Sequence, residues 1–257
     1  MKTGPEHEGN RGRILYTERT YREGLRPDGL VTFRVAVRQT DLWISAEKEL
    51  KKEARDIVLD LRHQLEAYIK SCPGFMTSLS PLNPDPLAPP MIKEMIEVTR
   101  RLNVGPMASV AGAIAQHVGK ALLGLTDQII VENGGDIFIQ ARRPVTVSIF
   151  AGASSLSGKI GIMIPERQMP AGVCSSSAKI GHSLSMGMAD VVCIISPSAS
   201  AADAAATSIG NRIKTRADLE KTAAWANQME DIIGGVVIVE EEIAAWGDVE
   251  IVAIQSV

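Results

Sequence analysis

The residues best suited to hold a metal ion are Asp203 and Thr207, four positions apart in the segment SAADAAATS. In a helix, that spacing places the carboxylate and the hydroxyl on one face. With nearby backbone carbonyls they suit a hard cation such as Mg²⁺, which keeps waters and substrate phosphates as its other ligands. The alternative is structural, because Ser200 and Asp203 match a capping box in which the aspartate caps the start of the helix.

A second candidate site combines a thiol, hydroxyls and an imidazole in the segment VCSSSAKIGHSLSMG. Cys174 precedes Ser175 and Ser176, whose hydroxyls could contact a cofactor, and Lys179 and His182 follow shortly after. A thiol near cationic groups and free backbone amides has a lowered pKa and can act as a nucleophile or sulfur carrier. His182 could contact a phosphate or serve as a catalytic acid or base. The alternatives are a small buried thiol and a structural histidine.

A glycine turn is the third candidate site. Gly134, Gly135 and Asp136 follow Asn133, and residues without side chains let a phosphate or a flavin edge approach the backbone. The alternative is a plain hairpin turn, because Asn-Gly between apolar segments is a strong hairpin signal.

The segments that must position these residues predict an α+β fold. Alternating apolar and polar residues at 13–23 and 31–45 predict an antiparallel strand pair. Residues 46–71 are rich in helix formers and predict a long helix. Two helices rich in small residues, one from Gly105 and one near Ser200, each accompany a pair of strands. This order predicts a pseudo-duplicated fold of antiparallel sheets packed with helices rich in alanine and glycine.

Composition and charge argue against several function classes. The 257 residues are 45% hydrophobic and 22% charged, as in a globular protein. A net charge of -3 and 4% aromatic residues indicate no nucleic-acid partner. No apolar run reaches the about 20 residues of a membrane span, and the first residues lack an apolar signal core. The few cysteines, outside metal-ligand spacing, indicate a reducing, cytoplasmic setting. We expect a disordered tail at 1–12 and a single domain at 13–257.

In their order along the chain, these motifs resemble those of the ApbE-like superfamily, whose best-known members are FAD:protein FMN transferases. The family's glycine turn is similar to residues 133–136, and its C-terminal Asp-x-x-Ala-Thr segment is similar to residues 203–207. Its threonine/serine loop resembles residues 174–177, its His-Ile segment aligns with 181–183, and its N-terminal helix resembles 46–71. The likeness extends over most of the chain from about residue 46.

The resemblance implies an ApbE-like, T-fold-like domain in which Asp203 and Thr207 bind Mg²⁺ and FAD or FMN lies against the glycine turn at 134–136. In the transferases, FMN moves from FAD to a protein threonine and AMP is left. Two segments depart from the family pattern. Residues 110–112 stand where the family has a Lys-Gly pair and contain no lysine, and residues 182–185 replace a His-Ile-x-Asp/Asn-Pro segment. The chain therefore resembles a compact cytoplasmic branch, to which the fold transfers and the activity does not.

These observations lead to three functional hypotheses. The first is a binding protein, or a transferase-like enzyme, that holds a flavin or nucleotide-type small molecule with Mg²⁺ in a central cleft. The second is sulfur handling, in which Cys174 takes up sulfide or a persulfide. The third is a folded interaction protein with a vestigial cleft, whose small-residue helices pack tightly, including across a homo-oligomer.

Overall fold

Antiparallel strands dominate the computed structural model, which describes residues 29–177 and 187–254. Eight strands of the described ranges form one large sheet in the order β1-β2-β3-β4-β7-β8-β9-β10, and three form a small sheet in the order β11-β6-β5. Their bounds are β1 (Val31–Val37), β2 (Thr40–Ala46), β3 (Ile129–Asn133), β4 (Asp136–Gln140), β5 (Val145–Ser148), β6 (Ile160–Ile164), β7 (Ala171–Ser176), β8 (Val191–Ser196), β9 (Gly234–Val239), β10 (Glu242–Gly247) and β11 (Glu250–Ala253).

The helices come mainly from the segments between the strand pairs of the large sheet. The α-helices of the described ranges are α1 (Lys51–Ser71), α2 (Gly74–Thr77), α3 (Pro90–Arg101), α4 (Val110–Leu122), α5 (Ala199–Arg212) and α6 (Thr222–Ala226). Short 3₁₀ turns occupy Pro106–Ser109, Glu166–Gln168 and Arg216–Lys221. Within these ranges, no helix combines the length and the apolar character that crossing a membrane requires.

The large sheet consists of two halves with the same order of elements. In the first half, β1 and β2 precede α4, and β3 and β4 follow it. In the second half, β7 and β8 precede α5, and β9 and β10 follow it. The halves join where β4 pairs with β7. The α+β fold with duplicated antiparallel strands and small-residue helices, predicted from the sequence, is confirmed.

Both faces of the large sheet are covered. Helices α4 and α5 pack directly on one face, and α1 and α3 pack around them. Neighbouring residues on a strand point to opposite faces, so Phe138 belongs to the core under the helices and Ile139 to the core under the small sheet. Because both faces are buried, strands such as β8 are apolar at successive positions rather than at every second one.

The first strand pair differs from the prediction. Residues 31–46 form a hairpin by themselves, because Arg38 adopts a φ of 53° and reverses the chain between β1 and β2. The expected partner strand at 13–23 and the tail at 1–12 lie outside the described residues. Helix α1 begins at Lys51 rather than near residue 46, because the chain is still in β2 at that point.

Candidate functional site

The first residue of α5 lies directly against α4 and β7, and two glycines permit this approach. A Cβ atom on Gly112 of α4 would overlap the carbonyl oxygen of Ala199 and lie 2.9 Å from the Cβ of Asp203. A Cβ atom on Gly172 of β7 would overlap the backbone of Ala199 and lie 2.8 Å from its Cβ. At these positions the small residues of the sequence therefore serve close backbone packing.

Asp203 reaches from α5 to the first turn of α4. Its Oδ2 accepts a hydrogen bond from the N–H of Gly112 at 2.9 Å, and the N–H of Ala111 also donates to the carboxylate. These amides have no partner within their own helix, so Asp203 caps α4 at its positive end. The capping-box alternative is wrong, because α5 is capped by Ser198, whose side chain accepts a hydrogen bond from the N–H of Ala201.

Asp136, the first residue of β4, places its carboxyl group on the face of the large sheet that the helices cover. The Cys174 thiol and the N–H of Ser175 on neighbouring β7 contact this carboxyl group. Its Oδ1 is buried and has no hydrogen-bond partner among the described residues. A buried oxygen without a partner is costly, so this atom marks a position where a proton or a cation would be favourable.

The two aspartates are close enough to oppose each other's ionisation. Burial, followed by the charge of Asp203, raises the pKa of Asp136 well above its ordinary value, and the charge of Glu132 adds to the effect. Burial raises the pKa of Asp203 to about 7, although the N–H groups of Gly112 and Ala111 favour its ionised form. Two like charges in a buried site hold a proton unless a positive ion replaces it.

The environment of Cys174 contradicts the expectation of a lowered thiol pKa. The side chain is completely buried, and its Sγ lies 3.2 Å from the carbonyl oxygen of Ala199. Burial and the charges of Asp136 and Asp203 raise the pKa of Cys174 well above its usual value. A thiolate is therefore disfavoured, and the packing matches the structural alternative of a small buried side chain.

The two serines predicted to bind a cofactor lie on opposite faces of β7. Ser176 shares the helix-covered face with Cys174, since the two are two positions apart, and its buried Oγ has no hydrogen-bond partner among the described residues. The Ser175 side chain instead hydrogen-bonds Cys193 on the other face. Only the backbone N–H of Ser175 therefore faces Asp136, while the hydroxyl of Ser176 is directed to the same side as the two aspartates.

The glycine turn joins β3 to β4, as the hairpin signal predicted. Gly134 and Gly135 have φ angles of 72° and 106°, which residues with side chains rarely adopt. A Cβ on Gly135 would meet no atom within 4 Å, so this side of the turn faces open space. The N–H of Gly135 is already bonded to Oε1 of Glu132 at 2.8 Å. The turn has room for a ligand edge, but this amide is not free to bind a phosphate.

Of the remaining residues that the sequence analysis singled out, the structure describes Thr207 but not His182 or Lys179. Thr207 lies one helical turn after Asp203 on α5 and is 8% exposed. His182 and Lys179 lie outside the described residues. The structure therefore brings together Asp136, Asp203 and Cys174, with Ser176 on the same face of the sheet.

The described residues offer few ligands for a cation. In the ranges 29–177 and 187–254, no group of three or more His, Cys, Asp and Glu side chains is arranged to hold a metal ion. A cation between the two aspartates would therefore need hydroxyl oxygens, waters or ligand phosphates to complete its coordination. Two surface grooves lie beside α3, and neither is lined by Asp136 or Asp203. One is lined by residues such as Lys93 and Arg100, and the other by Arg101 and Met229.

Sequence reasoning missed a polar cluster centred on Glu94 of α3. Its Oε1 accepts hydrogen bonds from Ser200 at 2.7 Å and from Gln116, and its Oε2 lies 2.9 Å from Nε2 of His117. Gln116 accepts a hydrogen bond from the N–H of Ala199 at 2.8 Å. The available signal was the adjacent polar pair Gln116 and His117 in the middle of a helix made mainly of small and apolar residues, but local spacing cannot identify its partner on α3.

The duplicated antiparallel fold and the aspartate-bearing small-residue helix define a protein of the ApbE-like class. The chain belongs to the family described as "AbpE bacteria", whose model matches residues 22–245. It is 36% identical over 222 residues to a UPF0280 protein of Methanocaldococcus jannaschii, which covers 84% of this chain and 90% of that protein. It is 41% identical over 182 residues to a UPF0280 protein of Methanococcus maripaludis, with 69% of this chain and 74% of that protein covered.

Two solved structures share this fold at low sequence identity. The apo form of the Pseudomonas stutzeri flavinyl transferase ApbE matches with a TM-score of 0.58 and 14% identity, over 84% of this chain and 94% of that chain. The flavin transferase ApbE of Vibrio cholerae matches with a TM-score of 0.56 and 13% identity, over 86% of this chain and 97% of that chain. At such identity the likeness establishes the fold alone.

Proposed function

We propose that this protein binds a flavin or nucleotide-type ligand together with Mg²⁺ at the site formed by Asp136, Asp203 and Thr207. The observation that supports the proposal most directly is the unpartnered Oδ1 of Asp136 beside a second buried carboxyl group. The ApbE structures with this fold are named as flavin transferases, which favours a flavin nucleotide as the ligand.

The residues present fit a hard cation. Asp136 and Asp203 would contribute carboxylate oxygens, and Thr207, one turn further along α5, would contribute a hydroxyl. Mg²⁺ held by these residues would supply positive charge that neutralises the phosphate of the ligand. Such a cation also explains how a phosphate could approach a glycine turn flanked by the carboxylates of Glu132 and Asp136.

The residues of this chain would otherwise orient the ligand. The open side of Gly135 leaves space for a flat ring or a phosphate beside the backbone. Ser176 directs an unpartnered hydroxyl to the same face and could donate a hydrogen bond to the ligand. The amides of Ala111 and Gly112 hold Asp203 in place, so the carboxylate need not reorganise when the cation binds.

The test is isothermal titration calorimetry with FAD, in the presence and absence of Mg²⁺. We expect FAD to bind only with Mg²⁺, and the affinity to fall by about tenfold or more, at least 1.4 kcal/mol, in Asp203→Asn. Asp56→Asn, on the exposed surface of α1, is the matched control and keeps the affinity of the natural protein. Release of AMP from FAD in the same mixture would assign transferase-type chemistry.

Two outcomes count against the proposal. Failure of the folded protein to bind FAD, FMN or ATP with Mg²⁺ would support the interaction-protein hypothesis instead. Binding that is equally tight in Asp203→Asn and in the control would show that the ligand lies away from the two aspartates.

A further inference from the structure

We propose that Glu94 is a positioning residue that fastens the N-terminus of α5 to α4 and thereby sets the separation between Asp203 and Asp136. Glu94 lies on α3, outside the candidate site, and none of its hydrogen bonds involves either aspartate. The consequence for cation binding rests on the proposed function, whereas the positioning itself does not.

Glu94 connects three helices through hydrogen bonds of its two carboxylate oxygens. On α4, its carboxylate accepts hydrogen bonds from the side chains of Gln116 and His117. On α5, it accepts a hydrogen bond from the hydroxyl of Ser200 at 2.7 Å. Oε1 of Gln116 in turn accepts a hydrogen bond from the N–H of Ala199, the first residue of α5, at 2.8 Å. The first turn of α5 is therefore held to the middle of α4 by a continuous set of polar contacts.

The charge of Glu94 strengthens this attachment. Burial opposes its ionisation, but hydrogen bonds from His117 and Ser200 lower the pKa of Glu94 to about 2. The side chain is therefore an anion at neutral pH, located at the positive end of α5, where a negative charge is favourable. Hydrogen bonds to a charged acceptor are stronger than those between neutral groups.

Two opposing restraints define the distance between the helices. Backbone contact between Gly112 and Ala199 prevents α4 and α5 from coming closer. The contacts of Glu94 with Gln116 and Ser200 prevent them from moving apart. Asp203 lies one turn beyond Ser200 on the same rigid helix, so its carboxyl group moves with the N-terminus of α5.

The experiment measures hydrogen exchange of the Gly112 amide, which donates to Asp203, by NMR of metal-free full-length protein labelled with ¹⁵N. In Glu94→Ala, α5 loses its attachment, so the hydrogen bond between the Gly112 N–H and Asp203 should open more often. We expect the Gly112 amide to exchange about tenfold faster, relative to the buried amide of Val237 in β9, which reports global unfolding. Glu94→Gln keeps an acceptor for Ser200 and Gln116, so it should restore most of the difference.

The control is Glu97→Ala on the exposed side of α3, which should leave the exchange rate of the Gly112 amide unchanged. If Glu94→Ala does not fold, Ser200→Ala removes one contact of the set and should speed the exchange of this amide by a smaller factor. An unchanged exchange rate of the Gly112 amide in a folded Glu94→Ala variant, or in folded Ser200→Ala where Glu94→Ala fails to fold, would overturn the positioning role.

A separate titration with Mn²⁺ in the presence of FAD keeps the two proposals distinguishable. We expect Glu94→Ala to weaken Mn²⁺ binding by about tenfold, because the second carboxylate is displaced. If the natural protein binds no Mn²⁺ with FAD but Glu94→Ala still speeds exchange of the Gly112 amide, the proposed function fails and the positioning role stands.

Discussion

The carboxylate of Asp203 accepts a hydrogen bond from the backbone N–H of Gly112 at 2.9 Å, and this bond joins the helices of the two halves of the fold. A side chain at Gly112 would also overlap the backbone of Ala199. The cap of α4 and the close contact between α4 and α5 therefore depend on the same residue, and so does the position of Asp203 relative to Asp136.

Gly112→Ala should separate α4 from α5. The new Cβ would overlap the carbonyl oxygen of Ala199 and approach the Cβ of Asp203 to 2.9 Å. Neither atom can move away without a shift of the α5 backbone. We expect a loss of about 1–3 kcal/mol in the free energy of unfolding, measured by urea denaturation. Gly124→Ala is the matched control, because its nearest atom would be the Ala121 carbonyl oxygen at 3.6 Å. Equal effects of the two substitutions would contradict the close contact.

The stability of the metal-free protein should fall as the pH rises from about 4 to above 7. Asp203 has an ordinary pKa of 3.8, raised to about 7 by burial in the folded protein. Between these values the folded state binds more protons than the unfolded state, so raising the pH favours unfolding. The effect is on the order of a few kcal/mol. Urea denaturation at several pH values should show a shallower slope in Asp203→Asn and an unchanged slope in Asp56→Asn.

Magnesium should reverse this pH dependence. The cation competes with the proton for the two carboxylates, so its binding strengthens as they ionise. At a concentration about 100 times the dissociation constant, it should raise the free energy of unfolding by about 2.7 kcal/mol. The increase should be larger above pH 7 than at pH 5 and absent in Asp136→Asn. Equal stabilisation at both pH values would indicate that Mg²⁺ binds elsewhere.

Alkylation of the native protein near neutral pH should modify Cys72 first. Cys72 is half-buried, whereas Cys174 and Cys193 are buried. Burial and neighbouring carboxylates raise the pKa of both buried thiols, that of Cys193 to about 11, so neither supplies a thiolate. Mass spectrometry of iodoacetamide-treated protein should find them modified only after denaturation. Rapid modification of Cys174 in the folded protein would instead favour sulfur handling.

Much of the fold could be predicted from local patterns. The glycine hairpin and both small-residue helices produce strong signals within about a dozen residues. Residues 31–45 were predicted as one strand, whereas the structure divides them into β1 and β2. Four consecutive polar residues, 38–41, interrupt the alternation at this point, and Arg38 among them has the positive φ that reverses the chain. Sequence spacing also suggested Ser200 as the cap partner of Asp203, whereas its hydroxyl binds Glu94.

The sequence by itself determined which residues could do chemistry, the order of the elements, and the duplicated α+β class. Periodicity and turn residues depend on neighbours along the chain, so they are readable without a structure. Only the tertiary structure decided that Asp203 caps α4, that Asp136 lies beside it, and that the thiol of Cys174 is buried against both. These properties depend on groups from distant segments, since burial and nearby charge set a pKa, and neither can be computed from spacing alone.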